Sequence, residues 1–251
     1  MVAMARAIVL AAGFGTRMGE LGRRCPKGLL DLGMGVVMDP ILSDLESSAA
    51  VESIVWVTNG RFAEMYRQWL TASRLRTPWV LIDDGVTEPE NRLGAIGDLD
   101  LALRETGDAS ALVLGSDNVY SFDVTGALQE MEARDCSVVA LLEGESRAAL
   151  RAANCVEVDS QGWMVRMEEK PLEPWSDLFA PPVYAYTQAT LARVSEYLRA
   201  GANPDAPGHF LAWLCARECV FGWRPSAGRR LDIGNPEMLQ EARSILREGR
   251  L

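Results

Sequence analysis

An apolar run, Ile8-Val9-Leu10, breaks directly into Ala11-Ala12-Gly13-Phe14-Gly15-Thr16-Arg17, and this junction constrains the fold more than any other stretch. A run so short suits a strand buried on both faces of a parallel sheet. Without Cβ atoms, the loop's glycines let successive amides converge on anionic oxygens. Arg17 adds a planar fork of donors, and Lys27 follows as a point charge. Strand, loop and paired cations predict a cradle for a triphosphate. A dinucleotide fingerprint needs a third glycine at position 18, where Met18 stands and Gly19 comes one place late. A Walker loop needs Gly-Lys-Ser or Gly-Lys-Thr, and the chain contains neither. An ordinary strand-to-helix turn would explain Gly13 and Gly15 alone, but not Arg17 and Pro26-Lys27 with them.

The chain has 251 residues, of which 48% are hydrophobic and 24% charged, enough for one α/β core. Its net charge of −10 argues against a nucleic-acid surface. An acidic protein that binds phosphate must confine its cations to a pocket or recruit metal, and Arg17, Arg23, Arg24 and Lys27 lie close together. The cysteines, Cys25, Cys136, Cys155, Cys215 and Cys219, are odd in number and scattered. Met1 to Arg6 offers no signal-peptide core, so a cytoplasmic setting with free thiols is expected. Cys215 and Cys219, four apart and near the only histidine, His209, read as a buried helix face rather than a metal site. No run approaches the ~20 apolar residues of a membrane helix.

Along the chain, strand and helix alternate. Helices are predicted from Asp39 as N-cap to about Ala50, over Arg61–Leu70, from Arg92–Asp98 to about Glu105, and over Phe122–Arg134. The stripe Phe62, Met65, Tyr66 and Trp69 reads as core packing. Strands are predicted at Ser53–Val57, Trp79–Ile82, Ser110–Leu114 and Cys136–Leu142. This rhythm predicts an α/β fold with a doubly wound, mostly parallel, Rossmann-like sheet. Beyond Glu145 a hairpin, Cys155–Val158 and Met164–Met167 around Ser160-Gln161-Gly162, adds a small antiparallel element. A strand at Val183–Tyr186 follows, with helices over Thr190–Ala200, to about Ala216, and from Asn235-Pro236-Glu237. Asp117 lies at the carboxyl end of the Ser110–Leu114 strand, where ligands of open α/β sheets collect. A carboxylate beside a triphosphate would hold a hard cation through oxygen.

Four blocks together are similar to the sugar-phosphate nucleotidyltransferases, the nucleotide-sugar pyrophosphorylases: Leu10–Arg17 with Pro26-Lys27, Gly115–Asn118, Glu168-Glu169-Lys170-Pro171, and Asp232–Glu237. The resemblance covers nearly the whole chain. It implies a glycosyltransferase-A-like fold in a single domain, 1–251, with a nucleotide half of about 1–145 and an acceptor half of about 146–251. It implies Mg²⁺-dependent transfer of a nucleotidyl group to a sugar 1-phosphate or sugar-like phosphate, with pyrophosphate released. A phosphate monoester, with its second pKa of about 6, is already ionised at neutral pH, so no general base is needed. Catalysis then reduces to positioning and charge neutralisation.

In this resemblance Arg17, Lys27, Asp117 and Asp232 are catalytic, and Asp117 and Asp232 hold Mg²⁺. Ala11, Ala12, Gly13, Gly15, Thr16, Arg17, Gly94 and Asp117 bind the nucleotide, with the base lying near Gly94. Asn154, Glu169 and Lys170 bind the acceptor. The partners implied are a nucleoside triphosphate and a phosphorylated small-molecule acceptor, with room for a homo-oligomer and none for nucleic acid or membrane. Two places depart from the family pattern. Ala153-Asn154 stands where Tyr-Gly is usual, and Pro181-Pro182 where Thr-Gly is usual. Pro182 removes an N–H donor from the sugar pocket. The acceptor can therefore be an unusual sugar phosphate, a cyclitol phosphate, or a small alcohol phosphate or phosphonate taken up by a cytidylyl- or other nucleotidyltransferase. Two alternative classes are an inactive nucleotide-sugar-binding regulatory subunit, against which the paired carboxylates speak, and a nicotinamide oxidoreductase, against which the missing glycine speaks.

Overall fold

The computed structural model of the chain describes residues 4–226 and 228–251. Its strands are β1 (Ala5–Ala11), β2 (Val51–Thr58), β3 (Trp79–Asp83), β4 (Ala111–Gly115), β5 (Asn118–Tyr120), β6 (Val138–Ala140), β7 (Leu142–Glu143), β8 (Asn154–Val158), β9 (Met164–Glu169), β10 (Leu178–Phe179), β11 (Val183–Tyr186), β12 (Phe221–Trp223) and β13 (Arg230–Asp232). Seven of them form the main sheet in the order β12-β6-β11-β4-β1-β2-β3. Strands β4, β1, β2 and β3 pair in parallel, as do β6 and β12, and β11 runs antiparallel to both neighbours.

Alternation along β1 builds two cores. Ala5, Ala7, Val9 and Ala11 face one layer with Met38, Ile41 and Tyr66, while Ile8 faces the other with Leu99, Phe210 and Leu211. The helices Asp39–Ser47 and Ala63–Ser73 supply the first layer, Ala95–Thr106 and Pro207–Cys215 the second. The fold is thus a three-layer α/β/α arrangement. From β1 the chain turns to β2 on one side and reaches β4 on the other, so the sheet order reverses between β1 and β4. Leu10 pairs with Gly115, so both strands end level at that switch point.

The antiparallel part is larger than the hairpin alone. A four-stranded sheet, β7-β10-β8-β9, and a pair, β5-β13, flank the main sheet. Several boundaries differ from the sequence expectation. The Cys136–Leu142 run divides between β6 and β7, which belong to different sheets, with buried Leu141 between them. The Thr190–Ala200 helix is two short helices, Gln188–Leu191 and Val194–Arg199. The Phe122–Arg134 helix starts only at Gly126, after Asp123 has taken the Thr125 amide at 2.8 Å in a turn. Asp39 is the first residue of its helix and not the cap; its carboxylate accepts from the Val36 amide (2.7 Å) and the Trp69 indole (3.2 Å). Asn235 is the cap expected of it, accepting from the Met238 amide at 2.9 Å. Cys219 is exposed beyond the end of the helix that closes at Cys215, so the two cysteines do not share a helix face. Among the described residues no helix is long and apolar enough to cross a membrane.

Candidate active site

A cavity of about 510 Å³ opens at the carboxyl ends of β1 and β4. One end of it is lined by the loop after β1. Gly15 adopts φ +61°, a left-handed conformation that favours glycine and turns the chain sharply back. Among the described residues, the amides of Gly13, Phe14, Gly15 and Thr16 make no backbone hydrogen bond in turns or loops, whereas Met18 already donates to the Gly15 carbonyl at 2.8 Å. The loop is braced from behind. Asn59, fully buried after β2, donates to the Ala12 carbonyl (2.8 Å) and accepts from the Phe62 amide (3.2 Å).

The catalytic residues read from the sequence converge here. Lys27 Nζ lies 2.9 Å from Asp117 Oδ2, and Asn118 donates to the other oxygen, Oδ1, at 2.8 Å. Strand β13 pairs with β5 so that Asp232 is opposite Asn118, and the Ile233 amide donates to the Asp117 carbonyl at 2.9 Å. Burial first, then the Asp117 charge, pushes the Asp232 carboxyl above its usual range, while Arg230, Lys27 and Arg17 pull it back down. Two carboxylates are therefore crowded together and partly neutralised by three cations. Arg17 is exposed, lines the cavity and makes no ion pair among the described residues. Asp232 sits behind this cavity, in the wall of a second cleft of about 630 Å³ that shares Arg230 with it.

Of the nucleotide-binding residues expected, Ala12, Gly13, Gly15, Thr16, Arg17, Gly94 and Asp117 all line the cavity. Ala11 does not. Strand alternation turns it onto the opposite face, into the core with Tyr66, while Leu10 and Ala12 face the cavity. Tyr66, read as core packing, is fully buried but also forms part of the cavity wall, and its hydroxyl has no hydrogen-bond partner among the described residues.

In the acceptor half, Glu169 lines the cavity, and burial pushes its carboxyl up to about 7, against a downward pull from Lys170 and a hydrogen bond from Asn154. It rests on Gly208, where any side chain would displace it. Asn154 also lines the cavity, but its amide is engaged by backbone: Nδ2 donates to the Ala180 carbonyl (2.9 Å) and Oδ1 accepts from the Ala180 amide (2.8 Å). It therefore holds the strand before Pro181-Pro182 in place. Lys170 is exposed with φ +49°, a strained backbone for a non-glycine residue, and stays outside the cavity wall with its charge felt by Glu169, Asp205 and His209.

Sequence reasoning does not single out Arg230, and places Arg92 and Asp98 only within the helix start that the resemblance puts against the base; all three line the cavity. Arg230 had a signal: two residues before Asp232 on a strand, it must share a face with it, and its guanidinium lies 4.0 Å from Asp232 Oδ2. Among the described residues no group of three or more His, Cys, Asp or Glu side chains is placed to hold a metal.

The chain is similar to several known proteins. The relatives include a valienol-1-phosphate guanylyltransferase of Streptomyces hygroscopicus subsp. limoneus, 30% identical over 222 residues, 77% of this chain and 58% of the relative. A bifunctional IPC transferase and DIPP synthase of Thermococcus kodakarensis is 33% identical over 248 residues, 96% of this chain and 50% of the relative. The chain thus spans little more than half the length of these curated relatives. A Bacillus anthracis structure assigned as a glucose-1-phosphate thymidylyltransferase shares the fold at TM-score 0.82 and 18% identity, covering 97% of this chain and 96% of that one. An apo UDP-glucose pyrophosphorylase does so at TM-score 0.78 and 18% identity, covering 99% and 100%. The family model for nucleotidyl transferases matches residues 6–248, from the first strand to the last helix, and the chain belongs to that family.

Proposed function

We propose that this chain is a Mg²⁺-dependent nucleotidyltransferase that joins a nucleoside triphosphate to a sugar-like phosphate and releases pyrophosphate. The observation that carries this reading is the meeting of Lys27, Asp117 and Asp232, 205 residues apart in sequence at the extremes, beside a loop of unengaged amides. The attacking phosphate oxygen needs no base; what it needs is relief from repulsion by a second polyanion. The loop amides and Arg17 would bind the departing pyrophosphate. Lys27, held by Asp117, would meet the α-phosphate where charge develops.

Asp117 and Asp232 would hold Mg²⁺. The donor set fits: two crowded, partly desolvated carboxylates are hard oxygen donors, and this cation commonly takes one or two carboxylates and completes its shell with phosphate oxygens and water. When bound, it supplies charge neutralisation to the triphosphate.

Residues of about 1–145 would serve the nucleotide and about 146–251 the acceptor. Glu169, its carboxyl pushed up to about 7 and so about half protonated at neutral pH, can either donate to or accept from an acceptor hydroxyl. With the Asn154 amide spent on Ala180 and no N–H on Pro182, the pocket offers few donors to a ring of hydroxyls. That favours a small alcohol phosphate over a densely hydroxylated ring, while the relative named for valienol-1-phosphate makes that compound's class the first sugar-like phosphate to try. The test is pyrophosphate release from each triphosphate with Mg²⁺ and pooled sugar, cyclitol and alcohol phosphates. One productive pair supports the reading; tight triphosphate binding with no pyrophosphate from any pair would make the chain a nucleotide-binding regulator.

A further inference from the structure

The cavity has two chemically opposite ends. The loop after β1 offers free amides and cations. At the far end, the start of the Ala95–Thr106 helix, the first backbone amides are already engaged. The Ala95 and Ile96 amides donate to the Asp205 (3.3 Å) and Pro204 (2.9 Å) carbonyls, and the Arg92 guanidinium pairs with the Asp205 carboxylate at 2.8 Å. What this end presents is an acceptor. Asp98 lines the cavity, is only 6% exposed, and its Oδ1 has no hydrogen-bond partner among the described residues. A phosphate would be repelled there, so a triphosphate seated on the loop would direct its base towards Asp98.

A buried carboxylate with an unfilled oxygen is costly unless something donates to it. Among the common nucleobases, only guanine carries two adjacent donors, N1–H and the N2 amine, that match both oxygens of one ionised carboxylate. Adenine and cytosine set one amine beside a ring acceptor, and uracil flanks its single N3–H with carbonyls. Resting on the nucleotidyltransferase reading above, we propose that Asp98 is the base-reading residue of this site and that the base it selects is guanine. Burial, aided by the Asp84 charge, pushes the Asp98 carboxyl up to about 7, so the ionised, acceptor-only form that this contact needs prevails above that pH.

The test is calorimetric titration of the full chain with GTP, ITP, ATP, CTP and UTP in Mg²⁺ at pH 8, where the carboxyl is ionised. GTP is expected to bind about ten- to a hundredfold more tightly than ATP, CTP or UTP, the scale of one well-formed bidentate base contact. ITP, which lacks only the N2 amine, is expected to lose about tenfold by forfeiting one charge-assisted hydrogen bond. In Asp98→Asn the preference of GTP over ITP should vanish, because an amide offers one acceptor and one donor where guanine's N1–H and N2 amine call for two acceptors. Equal affinities across the bases, a tighter triphosphate other than GTP, or ITP equal to GTP overturns the assignment while leaving the nucleotidyltransferase reading intact. Binding of no triphosphate at all overturns both. The ITP comparison needs no substitution, so it decides the matter even should Asp98→Asn fail to fold.

Discussion

Lys27 and Asp117, 2.9 Å apart, form a pair whose members are each partly screened from water, with side-chain exposures of 13% and 33%. Such a pair contributes little to stability on balance, because desolvation offsets much of its attraction. Its value lies in what it holds in place: an ammonium facing the reacting phosphate and a carboxylate beside a second one. Asp117→Asn keeps the volume and the hydrogen bond to Asn118 while removing the charge. It is expected to lower turnover by at least about a hundredfold, the scale of losing one preorganised electrostatic group, with the melting temperature held close to wild type. Pyrophosphate release beside a thermal melt checks both; a wild-type rate would remove Asp117 from the chemistry.

The start of the Ala95–Thr106 helix is where the two halves of the chain meet. Gly94, with φ +81° and ψ 161°, occupies a region essentially reserved for glycine. A Cβ there would also come within 2.5 Å of the Pro204 carbonyl oxygen. Gly94→Ala is therefore expected to cost about 1–3 kcal/mol in backbone conformation alone. Because the Pro204–Asp205 segment accepts the helix's first amides and holds Arg92, triphosphate affinity should fall with stability. Chemical denaturation and nucleotide titration of the same variant read the two effects; wild-type stability would show that the junction relaxes freely.

At the scale of the whole molecule, burial raises several carboxyls above their usual range, two of them in the cavity wall. Burial pushes the Asp98 carboxyl and that of Glu169 each up to about 7, and that of Asp44, away from the cavity, up to about 6. A carboxyl raised in the folded state binds more protons there than in the unfolded chain between its two pKa values, so stability falls as pH rises through that window. Glu46, lowered to about 2 by hydrogen bonds from Thr77 and Arg76, acts in the opposite sense, but its contribution is complete above about pH 5. The free protein is thus expected to melt higher at pH 6 than at pH 8, by about 2–4 °C for each kcal/mol involved. A saturating cognate triphosphate, supplying donors to Asp98, should narrow that gap. Scanning calorimetry at the two pH values tests it; a higher midpoint at pH 8 would contradict the burial of these groups as charged-form penalties.

The alternation of short apolar runs with amphipathic helices was enough to establish a mostly parallel α/β sheet, because each element's burial pattern is written in its own residues. The same was true of the loop from Gly13 to Arg17 and of Asp117, whose positions at strand ends are local facts. Tertiary structure alone decided three things. It inserted β11 antiparallel between β4 and β6, since pairing direction depends on distant partners. It spent the Asn154 amide on Ala180, a contact no spacing in the chain announces. And it left Asp98, which the sequence offers only as one residue of a helix start, buried without a donor at the far end of the cavity, because burial is a property of what packs around a residue rather than of the residue itself.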